Sequence, residues 1–73
     1  MWIKREDCEA VNLKYVQSIE KTENDEIDAY YIKFYQRGNN EVLYPFDDVE
    51  KRNEYYDALM NLIKSQEVPL LKI

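Results

Sequence analysis

The sequence contains no histidine, one cysteine (Cys8) and one glycine (Gly38). Without histidine, a zinc site would have to be built from carboxylates and a single thiol, whereas protein zinc sites depend on several cysteine or histidine ligands. A lone cysteine also excludes an intramolecular disulfide, and a free thiol is typical of a reducing compartment. We therefore expect no metal, no other cofactor and a cytoplasmic location.

Long apolar runs and an excess of basic residues are also absent. No stretch approaches the roughly 20 apolar residues that a membrane-spanning helix requires, and no charged-then-apolar segment suggests export. Fifteen acidic residues outnumber ten basic ones, which gives a net charge of −5. Because phosphate backbones and anionic lipids attract lysine and arginine, we expect neither direct nucleic-acid binding nor membrane binding.

The reactive side chains form no recognisable catalytic set. A nucleophilic cysteine needs a base or a cationic neighbourhood to hold its thiolate, but Cys8 is flanked by Asp7 and Glu9. We interpret Cys8 as a structural residue. Only a cation such as Lys4 or Arg5 beside the thiol, or a deep pocket with two carboxylates, would revive an enzyme hypothesis. The sequence therefore predicts no catalytic residues and no enzymatic activity.

The acidic segment 23–28 could bind calcium or form a solvated turn, and the acidic surface of the whole chain raises a separate possibility. The segment lacks the glycine and the ligand spacing of a calcium loop, so we predict a solvated turn there. An acidic surface can also imitate nucleic acid. The chain would then be a phage-type inhibitor, or nucleic-acid mimic, that occupies a basic site on a host protein. This alternative requires the carboxylates to lie on one contiguous face rather than scattered among lysines.

Three short strands are predicted in the first 22 residues. The apolar side chains of Val16 and Ile19 are three residues apart, which fits neither a regular strand nor a long helix. We therefore predict an irregularity near Gln17 or Ser18 in the third strand. The predicted strands are residues 1–4, residues 8–13 and residues 16–22.

The next two segments predict a β-hairpin. Residues 29–36 show strict alternation, with Tyr30, Ile32 and Phe34 on one face and Tyr31, Lys33 and Tyr35 on the other. Residues 41–46 return as the partner strand, with Val42, Tyr44 and Phe46 aligned. In the turn between them, Gly38 or either neighbouring asparagine can take a positive φ. Pro45 predicts a strand end or an edge strand, because proline donates no ladder hydrogen bond.

Residues 47–63 predict a capped amphipathic helix. Asp47 is the candidate N-cap, and Glu50 three residues later completes a capping-box pattern. Apolar and long side chains follow helical spacing along one stripe, while Asp57, Asn61 and Lys64 face outward. The stripe consists of Val49, Arg52, Tyr55, Tyr56, Leu59, Met60, Leu62 and Ile63.

This order of elements predicts an α+β fold, a small antiparallel sheet of about four to five strands covered on one face by a C-terminal amphipathic helix. The pattern of Trp2-Ile3, Val11-Asn12-Leu13, residues 30–34 and a tyrosine-containing helix resembles short bacterial or phage proteins with such a sheet and one closing helix. The resemblance implies the fold and no activity. We expect residues 1–66 to form one domain and residues 67–73 an apolar tail.

The same features predict an interaction surface. A 73-residue chain has a thin core, and small domains often add a disulfide, a metal or a second subunit; only the last fits this composition. Seven tyrosines suit an interface. We therefore predict a protein-interaction or structural module that forms a homodimer or larger homo-oligomer. The candidate interface residues are Tyr31, Lys33 and Tyr35 on the uncovered sheet face, and Leu70, Leu71 and Ile73 in a tail docked on its own core or on a partner subunit.

Overall fold

The computed structural model describes residues 1–66. In chain order the elements are strands β1 (Trp2–Ile3) and β2 (Val11–Asn12), a 3₁₀ helix (Leu13–Tyr15), strands β3 (Val16–Asn24), β4 (Ala29–Gln36) and β5 (Asn40–Phe46), and helix α1 (Val49–Gln66). The α+β class with a C-terminal helix is confirmed. The strands form two antiparallel sheets, however, in the orders β1-β2 and β3-β4-β5. The larger sheet has three strands, fewer than the predicted four to five.

The division into two sheets has a local cause at the end of β2. The Asn12 side chain accepts a hydrogen bond of 3.1 Å from the Lys14 backbone N–H, and such contacts compete with strand pairing. The chain turns into the 3₁₀ helix at Leu13 instead of continuing as a strand. The backbone N–H of Leu13 still donates to the Met1 carbonyl at 2.8 Å, which holds this segment beside β1.

The predicted irregularity in β3 is confirmed as a β-bulge. Val16 pairs with Gln36 and Ser18 pairs with Tyr35, so Gln17 is the extra residue. A bulge shifts the alternation of the strand by one residue. For that reason Val16 is buried and Ile19 also packs against the core, although the two are an odd number of residues apart.

Both hairpin turns of the larger sheet use left-handed backbone conformations. Gly38 and Asn39 have φ values of 86° and 63°, which confirms the predicted positive φ in this turn. In the other turn Asp28 has a φ of 49°, and the Asn24 side chain accepts the Glu26 N–H at 3.1 Å. Asparagine and aspartate tolerate this conformation better than other non-glycine residues.

The predicted N-cap of the helix, Asp47, is wrong by one residue. The helix begins at Val49, and the side chain of Asp48, not Asp47, accepts the Glu50 backbone N–H at 2.8 Å. The carbonyl of Asp48 also accepts the Arg52 N–H at 3.0 Å. Asp48 is therefore the N-cap, and Glu50 is one position too early to close a capping box.

The core lies between α1, the inner face of the β3-β4-β5 sheet and the N-terminal segment. Aromatic rings meet edge to face in it; the ring centroids of Phe34 and Tyr44 are 4.8 Å apart. The predicted inner faces of β4 and β5 are confirmed by their burial. The buried apolar residues are Val11, Leu13, Val16, Ile32, Phe34, Val42, Tyr44, Phe46, Leu59 and Ile63.

Arg52 is a buried cation at the margin of this core. Arg52 is 4% exposed. Its Nη1 donates to the Thr22 carbonyl at 2.9 Å and its Nε donates to Asn53 at 2.9 Å. Its Nη2 lies 3.6 Å from the half-exposed Glu23 carboxylate. Arg52 thus fastens the first turns of α1 to β3.

Replacing Arg52 by alanine should lower the free energy of unfolding by about 2 kcal/mol, because a charged hydrogen bond to a backbone carbonyl and the packing of the stem are lost together. Lys51→Ala, at the exposed neighbouring position, should change it by no more than about 0.5 kcal/mol. Urea denaturation of both variants measures this difference. Equal effects would show that Arg52 does not stabilise the helix–sheet contact.

Tyr44 joins the N-terminal segment to the sheet. Its ring is fully buried, and its hydroxyl donates to the Glu9 carbonyl at 2.8 Å. Burial is the main cause that raises the pKa of Tyr44 to about 12. Burial also raises the pKa of Tyr55, whose ring centroid is 6.2 Å from that of Tyr44. The fold therefore favours the neutral phenol.

This raised pKa predicts a loss of stability at alkaline pH. The contribution of Tyr44 is fully present below the unfolded-state pKa of about 10 and declines as pH rises through about 12, by about 3 kcal/mol in total. Tyr44→Phe, which loses about 1 kcal/mol at neutral pH with its hydrogen bond, should show a shallower decline. Urea denaturation between pH 9 and 12 tests this. Identical pH slopes in the two proteins would contradict it.

Candidate interaction surface

The face of the larger sheet that points away from α1 is called the open face below. Residues directly opposite one another in antiparallel strands share a face, so the pairing of β4 with both neighbours defines its members. They form three rows of three across the sheet. The rows are Thr22, Tyr31 and Pro45; Glu20, Lys33 and Leu43; and Ser18, Tyr35 and Glu41.

One part of the open face is a polar network around Lys33. The Tyr35 hydroxyl donates to the Glu20 carboxylate at 3.0 Å, and the Lys33 ammonium lies 5.4 Å from the centroid of the Tyr35 ring. Hydrogen bonding with Tyr35 is the main cause that raises the pKa of Lys33 above its ordinary value, and Glu41 and Glu20 add to the rise. Lys33 is therefore cationic at physiological pH and is held among acceptors.

The other part of the open face is apolar. Leu43 is 46% exposed, and it lies in the row next to that of Tyr31 and Pro45. Within residues 1–66, α1 packs on the opposite side of the sheet, where the buried residues of β4 and β5 lie. The open face thus presents leucine, proline and tyrosine side chains together at the surface, an arrangement associated with protein–protein contacts.

The structure brings Tyr31, Lys33 and Tyr35 together on the open face, the positions that alternation along β4 predicts. Leu70, Leu71 and Ile73 lie outside the described residues. Sequence reasoning missed Leu43 as a surface residue. The exposure of Leu43 could have been predicted from the sequence, because this residue lies between Val42 and Tyr44, which both face inward.

The structure also places Arg5 beside Cys8, the kind of cation that could activate a thiol. Their Nη1 and Sγ atoms are 3.7 Å apart. The same nitrogen donates to the Pro45 carbonyl, however, and the guanidinium stacks 4.0 Å above the Phe46 ring. With no histidine in the sequence to accept a proton, this arrangement supports a structural role for Arg5 in fastening the N-terminal loop to the end of β5.

Seven of the fifteen carboxylates lie toward one end of the larger sheet. Tyr30 is paired with both Glu23 and Phe46, so the β3–β4 turn and the start of α1 lie at the same end. Seven carboxylates and two cations there leave five negative charges, the net charge of the whole chain. This acidic end consists of Glu23, Asp25, Glu26, Asp28, Asp47, Asp48 and Glu50, with Lys51 and Arg52.

Two further observations concern the described part of the chain. Residues 1–66 contain no cluster of three or more histidine, cysteine, aspartate or glutamate side chains arranged to hold a metal ion. Helix α1 does not have the apolar character needed to cross a membrane.

No protein-family model, curated protein or solved structure matches the chain. Inference about function therefore depends on these surfaces.

Proposed function

We propose that this protein is a small non-enzymatic interaction module that self-associates through the open face. The observation that carries the proposal is the combination of exposed Leu43 with Tyr31 and Pro45 on a sheet face that α1 leaves uncovered. Tyrosine is enriched at interfaces because it combines a large apolar ring with one polar group. Burial of this face against a second copy removes apolar surface from water.

The charges on the open face favour one arrangement of two copies. A two-fold axis through Lys33 would place two ammonium groups opposite each other, which is destabilising. An axis perpendicular to the strands, between the Tyr31 row and the Lys33 row, avoids this contact. Lys33 then lies over the ring of Tyr31 of the partner subunit, a cation–π contact, and Leu43 lies over Pro45 of the partner subunit. The two acidic ends point in opposite directions.

The size of the open face sets the expected strength of association. Strands of eight residues are about 26 Å long, and three strands spaced by about 4.8 Å are about 14 Å wide. Two such faces bury roughly 700 Å², whereas stable interfaces bury about 1,200–2,000 Å². The dimer is therefore weak, and its population depends on concentration in the micromolar range or above.

Leu43→Glu should raise the dimer dissociation constant at least about tenfold, which corresponds to about 1.4 kcal/mol, because it places a carboxylate in the apolar part of the face. The matched control is Ile27→Glu, which adds the same charge at a position that is 66% exposed in the β3–β4 turn. Sedimentation equilibrium between about 10 µM and 1 mM, the range of a weak complex, measures the constant.

Circular dichroism is the control that tests whether both variants remain folded. A second variant, Tyr31→Ser with Tyr35→Ser, tests the aromatic contribution on the same face. A wild-type protein that stays monomeric at 1 mM, the upper limit of a weak complex, would overturn the proposal. So would a dimer that Leu43→Glu weakens no more than Ile27→Glu does.

A second candidate function is recognition of a basic surface on another protein, as a nucleic-acid mimic does. The observation that favours it is the acidic end, because outside it eight carboxylates and eight cations balance. A contiguous field of one sign attracts an oppositely charged partner more strongly than scattered charges do. This candidate needs the carboxylates to act together rather than through the net charge alone.

The acidic end should bind an arginine-rich probe peptide more strongly at low salt than at high salt, because exposed charges are screened at higher ionic strength. The variant Asp25→Asn with Glu26→Gln and Asp28→Asn should lose most of this binding. Its control, Glu6→Gln with Glu9→Gln and Asp57→Asn, removes the same charge elsewhere and should retain it. Fluorescence anisotropy at two salt concentrations measures peptide binding by both variants. An equal loss of binding in the two variants would contradict a localised site.

A further inference from the structure

An open apolar groove of about 190 Å³ lies between β1 and α1, on the side of the molecule that carries the helix. The helix residues in its wall follow three- and four-residue spacing, so the groove runs along the middle of α1, residues 55–62. Leu62, at the end of the groove nearest the helix C-terminus, is 38% exposed. The lining residues are Ile3, Tyr55, Ala58, Leu59 and Leu62.

The last described residue, Gln66, lies near one end of this groove. Helix α1 ends at Gln66, only four residues after Leu62, which is about 6 Å along a helix axis. Of residues 67–73, which lie outside the described part of the chain, five are apolar: Val68, Pro69, Leu70, Leu71 and Ile73. A continued α1 would have to include Pro69, and proline breaks a helix interior.

We propose that residues 67–73 of the same chain occupy the groove by running back along α1. Tyr55, at the far end of the groove, is about 16 Å along the helix axis from Gln66. Seven extended residues span up to about 24 Å, which leaves enough chain for the reversal of direction. This proposal is independent of the open face, which lies on the other side of the sheet.

The volume and the covalent connection both favour this occupant. An apolar cavity of about 150 Å³ takes up benzene, so a groove of 190 Å³ accommodates at least one leucine side chain. A short flexible connection gives an effective concentration in the millimolar range. The tail of the same chain therefore outcompetes the tail of a second copy at micromolar protein concentration.

Nuclear Overhauser effects between methyl groups test the proposal directly on the full chain. The methyl groups of Leu70, Leu71 and Ile73 should show effects to those of Ile3, Ala58 and Leu62 in a uniformly labelled sample. In an isotope-filtered experiment on mixed labelled and unlabelled protein these effects should be absent. Effects that appear only between differently labelled copies would overturn the proposal in favour of exchange of tails between subunits, and a complete lack of effects would overturn it as well.

A matched pair of variants separates docking from general helix stability. Ala58→Glu introduces a carboxylate at an exposed position in the groove, and Asn61→Glu adds the same charge at an exposed position of α1 outside it. Ala58→Glu should abolish the tail contacts and lower Tm by about 5 °C, as should Leu70→Ser with Leu71→Ser. Asn61→Glu should do neither. Tail contacts that survive Ala58→Glu, or an equal Tm loss in Asn61→Glu, would contradict docking in the groove.

Discussion

The fold depends on the burial of one face of a three-stranded sheet under a single helix. Burial of apolar area is the main favourable contribution to folding, and residues 1–66 contain one α-helix with which to achieve it. Ile32 and Phe34 on the inner face of β4 are fully buried, whereas Leu43 on the other face is not. The candidate surfaces follow from this arrangement. The open face has no covering layer within residues 1–66, and the groove lies between Ile3 of β1 and α1.

Arg52 shows how this thin core accommodates charge. An unpaired buried cation is strongly destabilising, but Arg52 lies at the edge of the core, where its guanidinium reaches the Thr22 carbonyl and Glu23. Its guanidinium carbon also lies 5.7 Å from the centroid of the Tyr30 ring. The long stem covers apolar surface while the charged group finds acceptors. The contact therefore fixes the start of α1 over β3.

Residue periodicity predicted the parts of the fold that depend on burial. The alternation in β4 predicted its bounds and its two faces, and the odd spacing of Val16 and Ile19 predicted an irregularity near Gln17 or Ser18, where the structure has the bulge. Competition between local hydrogen bonds is not visible in periodicity. Two adjacent aspartates can both cap a helix, and the start of α1 shows that Asp48 does so. The acidic end was also missed, because it joins two segments about twenty residues apart whose proximity depends on the register of the sheet.

The acidic end connects the two candidate functions through its effect on orientation. If two copies met with their strands in the same direction, both acidic ends would lie together, and five net charges on each would repel. The antiparallel arrangement separates them by roughly the length of the sheet, about 26 Å, which exceeds the Debye length of about 8 Å at physiological ionic strength. Repulsion therefore selects the same orientation that places Lys33 over Tyr31 of the partner subunit. In the proposed dimer the carboxylates lie at the two outer ends, accessible to a basic partner, so the two proposed functions are compatible in one molecule.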